Sequence, residues 1–356
     1  MQRRDFIKFA CSTSAFIALP PTAIGAQPTP WRTFRLTYHI TLPESQSPAK
    51  LWLPLPDTQA TSYQMAMGSA WSGTASYGEL HDAPADSPPL YYGEWASDSP
   101  RQVTVLSHVR TMDRAVALDP AALPSHAPIP ADIRFYLKPT HHMPNDGIVR
   151  STALEITRGI KTPLGKARAI YDWIVDNTFR DPKVQGCGRG DIKFMLESGD
   201  LGGKCADINS LFVGLARAVG VPAREKFGIR VAESKTFKSL GRAGDVSKAQ
   251  HCRAEFYLAG LGWVPVDPAD VRKAVLEEKL NLDDPKVVAL REKLFGAWEM
   301  NWVAFNHARD FTLRPRATNS HMNFFMYPYA EEAGQSRDSL NADGFAYRIE
   351  AETLPV

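Results

Sequence analysis

The sequence has little cysteine, almost no charge imbalance and no long apolar run. Four cysteines in 356 residues exclude a disulfide-built scaffold. The 41 Lys and Arg against 39 Asp and Glu leave a formal +2. That surplus sits in the first 26 residues, where Arg3, Arg4 and Lys8 face only Asp5. The rest of the chain is neutral, 38 basic against 38 acidic, so net charge alone draws in neither nucleic acid nor anionic lipid. No segment reaches the ~20 apolar residues of a membrane-crossing helix. No Walker, zinc or calcium-loop pattern is present, and no cofactor or metal is expected. What remains is globular in composition, 44% hydrophobic and 22% charged, and long enough for two or three domains.

The chain opens Met1-Gln2-Arg3-Arg4-Asp5-Phe6-Ile7-Lys8, a paired arginine ahead of Phe-Ile-Lys that resembles the twin-arginine export signal. A weakly apolar stretch, Phe9 to Leu19, and the small residues Ala23-Ile24-Gly25-Ala26 complete a signal peptide over residues 1–26. A periplasmic or secreted protein is expected. Cys187, Cys205 and Cys252 survive cleavage, an odd number that leaves at least one thiol unpaired in an oxidising compartment.

Residues 33–42, Ala49–Leu55, Leu90–Trp95 and Gln102–Thr111 are rich in aromatic and β-branched types, alternate in part and are separated by Pro, Ser, Gly and Asp clusters. They predict an N-terminal antiparallel β-domain over residues 27–140. Thr162-Pro163 offers an N-cap and a first-turn proline to a helix ending near Asn177. From Lys204, the residues Ile208, Leu211, Phe212, Leu215, Ala216 and Val219 form one apolar helical face that Gly220 and Pro222 close. Strand-like runs follow at Arg224–Val231, Cys252–Leu258 and Gly262–Val266. This order predicts an α+β core over residues 141–275. Residues 276–356 form a C-terminal extension with a charged helical stretch, an aromatic segment at Phe324–Tyr329 and an alternating run, Phe345–Leu354, that could return a strand to a sheet.

Cys205 follows Gly202-Gly203-Lys204 at the start of the best-marked helix. A thiol there faces unpaired N–H groups and the positive end of the helix dipole, both of which favour thiolate. A nucleophilic thiol needs a base, and the base needs an orienting group. His251 and Asp267 lie at the far ends of two runs joined by Ala259-Gly260-Leu261, so a hairpin brings them together.

Gly203-Lys204-Cys205-Ala206-Asp207 leading to Gly220-Val221-Pro222-Ala223-Arg224, His251-x-Arg253-x-Glu255 and Gly262-Trp263-Val264-Pro265-Val266-Asp267-Pro268 resemble the core of the transglutaminase-like superfamily over roughly residues 145–275. The resemblance implies a papain-like core and a Cys-His-Asp triad at Cys205, His251 and Asp267. Many relatives carry tryptophan where this chain has Arg253. The family includes crosslinking transglutaminases, cysteine peptidases, amidases and inactive scaffolds. The reading favoured is a cysteine-dependent acyl hydrolase acting on a peptide or isopeptide amide, with a protein-glutamine transglutaminase and an inactive binding scaffold as alternatives. The partner implied is a peptide or protein substrate, cell-envelope material among the candidates. The oligomeric state is not indicated.

Other residues have plainer readings. Strand alternation turns Cys252 away from the His251 face into an apolar set, a core thiol or a disulfide partner of Cys187. Arg253 and Glu255 share the His251 face and could meet substrate or pair with each other, the structural role being favoured. His141-His142 reads as a surface pair, Arg189-Gly190-Asp191 as a chance tripeptide, and Trp173 as core packing.

Overall fold

The computed structural model of the chain describes residues 31–355 apart from 83–86, 98, 123–127, 319–320 and 342–343. The export signal expected over residues 1–26 lies outside the described residues. Phe34, Leu36, Tyr38 and Ile40 alternate inward along strand β1 (Arg32–Thr41), as period-two side-chain placement requires. It is followed by β2 (Ala49–Pro54), β3 (Gln64–Gly73), β4 (Tyr77–His81), β5 (Leu90–Trp95) and β6 (Gln102–Thr111). These divide between two antiparallel sheets of five strands. In the first, the strands run Gly244–Asp245, Ala346–Leu354, β1, β6, β3. In the second they run Gln335–Arg337, Tyr329–Glu332, β2, β5, β4. The tail thus returns to both sheets, its alternating run pairing with β1 from Thr33↔Leu354 to Thr41↔Ala346.

The middle of the chain builds an antiparallel sheet in the order Gly262–Val266, Gln250–Leu258, Ala223–Arg230, Trp302–Asn306. Its helices are α1 (Gly147–Ile156), α2 (Pro163–Asn177), α3 (Ile192–Ser198), α4 (Cys205–Ala218), α5 (Pro268–Glu277) and α6 (Pro285–Lys293). The expected cap of α2 is present, Thr162 Oγ1 accepting from Gly165 N–H at 3.1 Å with Pro163 in the first turn. The fold class is therefore α+β, with N-terminal antiparallel sheets ahead of a core of helices and sheet. All of α4 is buried. It packs on the strand Gln250–Leu258, where Phe212 meets Phe256 at 6.1 Å, and against α1 and α2. Each buried Leu or Phe of that helix contributes roughly 1.5–3 kcal/mol. This central placement fixes the one end of α4 at which Cys205 stands. Trp173 packs against the core as expected. None of the helices in the described residues is long and apolar enough to cross a membrane.

Candidate active site

The N-terminus of α4 is held by its own third residue. Asp207 accepts Lys204 N–H at 2.9 Å on one oxygen, and Arg189 and Gly190 N–H at 2.9 and 2.8 Å on the other. The Arg189-Gly190-Asp191 tripeptide is therefore structural, and Asp191 also caps α3 through Phe194 N–H. Close approach explains Gly188, whose φ of +91° accompanies a site where a Cβ would stand 1.8 Å from Asp207. Gly202 and Gly203 form an extended parallel bridge to Phe179–Arg180. Their small size lets Phe179 and Asp207 pack onto that bridge.

With Lys204 N–H taken by Asp207 and Ala206 N–H by the Cys187 carbonyl at 2.9 Å, the Cys205 N–H has no protein partner among the described residues. His251 stands close enough to the Cys205 thiol to lower it. Since His251 Nε2 is engaged by Asp267 Oδ2 at 2.7 Å, Nδ1 is the nitrogen that faces sulfur. Asp267 caps α5, accepting Asp270 N–H at 3.2 Å. Its position is fixed further by Asn209, one turn after Cys205, whose Nδ2 donates to Asp267 Oδ1 at 3.2 Å and to the Cys252 carbonyl at 2.9 Å. Cys205, His251 and Asp267, drawn from three separate elements, are thus brought together in one buried chain. Asn209 was missed in the sequence, although a polar residue at i+4 from the thiol on a buried helix was a signal.

Two further thiols stand at the site. Cys187, Cys205 and Cys252 are all free and buried, so of the two readings open for Cys252, a core thiol or a disulfide with Cys187, the core thiol holds. Cys187 and Cys252 both act on the Cys205 thiol from nearby. These contacts, Cys187 first and Cys252 next, hold the Cys205 thiol well below its usual range against the opposing effect of burial, with His251 adding to them. The neighbouring thiols move the other way: Cys187 rises because it donates to Cys205, Cys252 chiefly because it is buried. Tyr327 donates to Cys187 Sγ at 3.0 Å. Burial and Arg230 press His251 downward, yet Asp270 and Asp267 raise it on balance. Both shifts run in the direction of a thiolate beside an imidazolium.

Behind the histidine, Asp270 takes Arg230 at 2.6 Å and stands 3.5 Å from His251 Nε2. His251, Asp267 and Asp270 cluster tightly enough to suggest a cation site. The donor set fits poorly, because Arg230 and Arg253 already bring positive charge to the two carboxylates. Arg253 lies 3.7 Å from Asp267 Oδ2, donates to the Glu299 carbonyl at 3.0 Å and covers the Trp302 ring at 4.8 Å. It does not pair with Glu255, which binds Arg114 and Arg224 at 2.6 Å each. The alternative open in the sequence, mutual pairing, is corrected; the two are structural by separate means. His142 is held by Asp310, through Nδ1 at 2.5 Å and its backbone N–H at 3.0 Å.

Cys205 and His251 line a cleft of about 900 Å³. Gln250, Tyr327 and Tyr347 also border it; the Gln250 side chain acts on the Tyr347 hydroxyl, and its buried Nε2 makes no hydrogen bond of good geometry among the described residues. An activated thiol, a base, an oriented carboxylate and a free N–H at one cleft constitute a set suited to attack on a carbonyl.

The transglutaminase-like superfamily description matches residues 150–268. An uncharacterised protein of Haemophilus influenzae is 41% identical over 337 residues, covering 90% of this chain and 91% of that one. Among solved structures, a candidate cysteine protease from Cytophaga hutchinsonii superposes with a TM-score of 0.59 at 16% identity, covering 93% of each chain. A more remote likeness, TM-score 0.35 at 16% identity, covers 70% of this chain and 93% of the periplasmic domain of TgpA from Pseudomonas aeruginosa. The fold is one that supports cysteine-dependent acyl transfer or hydrolysis, and the chain belongs to the transglutaminase-like superfamily.

Proposed function

We propose that the protein is a cysteine-dependent acyl hydrolase that cleaves a peptide or isopeptide amide, with Cys205 as nucleophile, His251 as acid and base, and Asp267 as orienter. The observation that carries this reading is the buried Cys205–His251–Asp267 chain opening on the cleft. The thiolate attacks the amide carbonyl carbon, forming a C–S bond while the oxygen becomes an oxyanion. The Cys205 N–H is a donor for that oxygen, and the Gln250 amide is a second at the same cleft. His251 Nδ1–H passes its proton to the leaving amine as the C–N bond breaks. It then takes a proton from water, whose oxygen attacks the thioester and releases the acid and the thiolate. Asp267 keeps the Nε2 proton oriented throughout. Water is the simplest acceptor, since the same site with an amine in its place performs transglutamination.

Iodoacetamide labelling of reduced protein, read against pH by mass spectrometry, tests the nucleophile. Cys205 is expected to label quickly well below the ordinary thiol value of ~8.5, and His251→Ala is expected to slow it. An ordinary thiol profile would refute the reading. Hydrolysis of labelled casein, with a fluorescent amine offered in parallel, separates water from amine as acceptor. Cys205→Ala is expected to abolish either reaction. We also propose twin-arginine export to the periplasm, which Arg3→Lys with Arg4→Lys should block in a fractionation experiment.

A further inference from the structure

The cleft beside Cys205 is lined by seven basic side chains and only two acidic ones, in a chain that beyond residue 26 is neutral. The two acids offset only part of that charge. Glu278 accepts Ser239 N–H at 2.8 Å and acts on Lys238 and Lys273. Glu277 binds Arg180 Nε at 3.0 Å and stands 3.8 Å from Lys273 Nζ, one carboxylate for two half-buried cations. Arg230 is paired with Asp270, but Lys204 and Lys248 have no carboxylate partner among the described residues. Lys204 directly precedes the nucleophile. Arg180 lies on the bridge strand paired with Gly203, and Lys273 on the helix that Asp267 caps, so three cations from three elements line the cleft that holds Cys205.

We infer that the cleft selects a substrate carrying at least one carboxylate close to the attacked amide, an acidic peptide rather than a neutral or basic one, with Arg180, Lys204 and Lys273 holding the anion. This rests on the reading of Cys205 as nucleophile. Cations lining a partly enclosed cleft focus their field on whatever enters it, and Arg and Lys are the residues that bind carboxylates by charge-assisted hydrogen bonds. The leading influences on the Cys205 thiol are Cys187, Cys252 and His251, so the cations are not what makes it acidic. Lys273 shows the local excess of positive charge: burial first, then Arg230, lower its ammonium to about 8. A carboxylate beside it would reverse that shift. The same cleft is also lined by Tyr327, Leu340, Phe345 and Tyr347, apolar and aromatic groups against which a peptide side chain can pack.

The test compares alkylation of Cys205 by iodoacetate, an anion, and iodoacetamide, its neutral analogue, in the reduced full chain. The ratio of the two rates is normalised to that of N-acetylcysteine under the same conditions. Any change in thiol reactivity common to both reagents cancels. The normalised ratio is expected to be about tenfold above one at low salt and to fall toward one in 0.5 M sodium chloride. Lys204→Gln with Lys248→Gln, which leaves no carboxylate unpaired, should cut it by about threefold, and Lys273→Met should do likewise. A glutamate pentapeptide should protect Cys205 from iodoacetamide at concentrations where a lysine pentapeptide does not. A wild-type ratio near one, a ratio that the substitutions leave unmoved, or equal protection by the two peptides would overturn the inference. Failure of the nucleophile reading is separate, since it shows as slow labelling by iodoacetamide itself.

Discussion

His251 and Glu255 lie four residues apart on one strand, on the same face and both almost fully buried, yet their surroundings are closed at one end and open at the other. Glu255 has each oxygen on a guanidinium. Arg114 is further fixed by the Trp263 carbonyl at 2.6 Å, Arg224 by stacking on Trp263 at 4.0 Å, and nearby Lys226 by Asp57 at 2.7 Å. At the His251 end, Asp267 and Asn209 anchor the imidazole from behind, while among the described residues Cys205 N–H and Gln250 Nε2 make no hydrogen bond of good geometry at the cleft. Buried charge therefore does not by itself mark chemistry. A network tied off on all sides is structural; one anchored on one side and open to a cleft on the other is poised to act.

Substitutions that keep shape and remove charge test this contrast. The largest effect is expected at the open end. Asp267→Asn retains a side chain able to cap α5 but removes the charge that holds the histidine proton, so turnover should fall by about 10²–10⁴-fold. Steady-state hydrolysis per folded molecule measures it. Turnover within about twofold of wild type would remove Asp267 from the triad.

Glu255→Gln should do the opposite, leaving the thiol reactive but the fold weak. Removing one partner of a buried network costs about 3–5 kcal/mol, readable as a lower denaturation midpoint. The pH dependence follows from sign. Burial raises the Glu255 carboxyl, but Arg224 and Arg114 outweigh it and bring it down to about 2. A carboxyl lowered on folding contributes its full stability above the unfolded value of ~4.3 and loses it as pH falls toward the folded value. The wild type should therefore lose this advantage over Glu255→Gln between about pH 5 and pH 2. A constant difference across that range would mean that Glu255 is not the group responsible.

These two ends were unequally legible in the sequence. Strands β5 and β6 and helix α2 match their predicted limits, because apolar alternation, proline and a threonine cap are local signals. Strand β3 was missed: Gln64–Gly73 is mostly small or exposed, so no apolar alternation announces it. Trp302–Asn306 was also missed, since a strand buried throughout loses the period of two. At the site, Cys205, His251 and Asp267 were visible through their motifs. The roles of Cys187, Asn209, Gln250 and Tyr327 were not, because each depends on long-range packing. The partner of Glu255 was misread for the same reason: Arg114 comes from 141 residues away and Arg224 from the adjoining strand.

Cys187 offers the smallest and most specific test of the open end. A thiol has one proton, and Cys187 can give it to the Gln250 carbonyl at 3.3 Å or to the Cys205 sulfur. Once Cys205 is a thiolate, it is the more negative acceptor and draws that proton, and this contact leads the influences that lower Cys205. Cys187→Ala removes the donor while leaving His251 and Asp267 in place. The midpoint of Cys205 labelling against pH should rise by about one unit, as expected for loss of a weak hydrogen bond to an ionised group. Cys252→Ala should raise it too, but by less, since Cys252 ranks second among the same influences. If neither substitution moves the midpoint while His251→Ala does, the thiolate is made by the imidazole alone and the flanking thiols are packing.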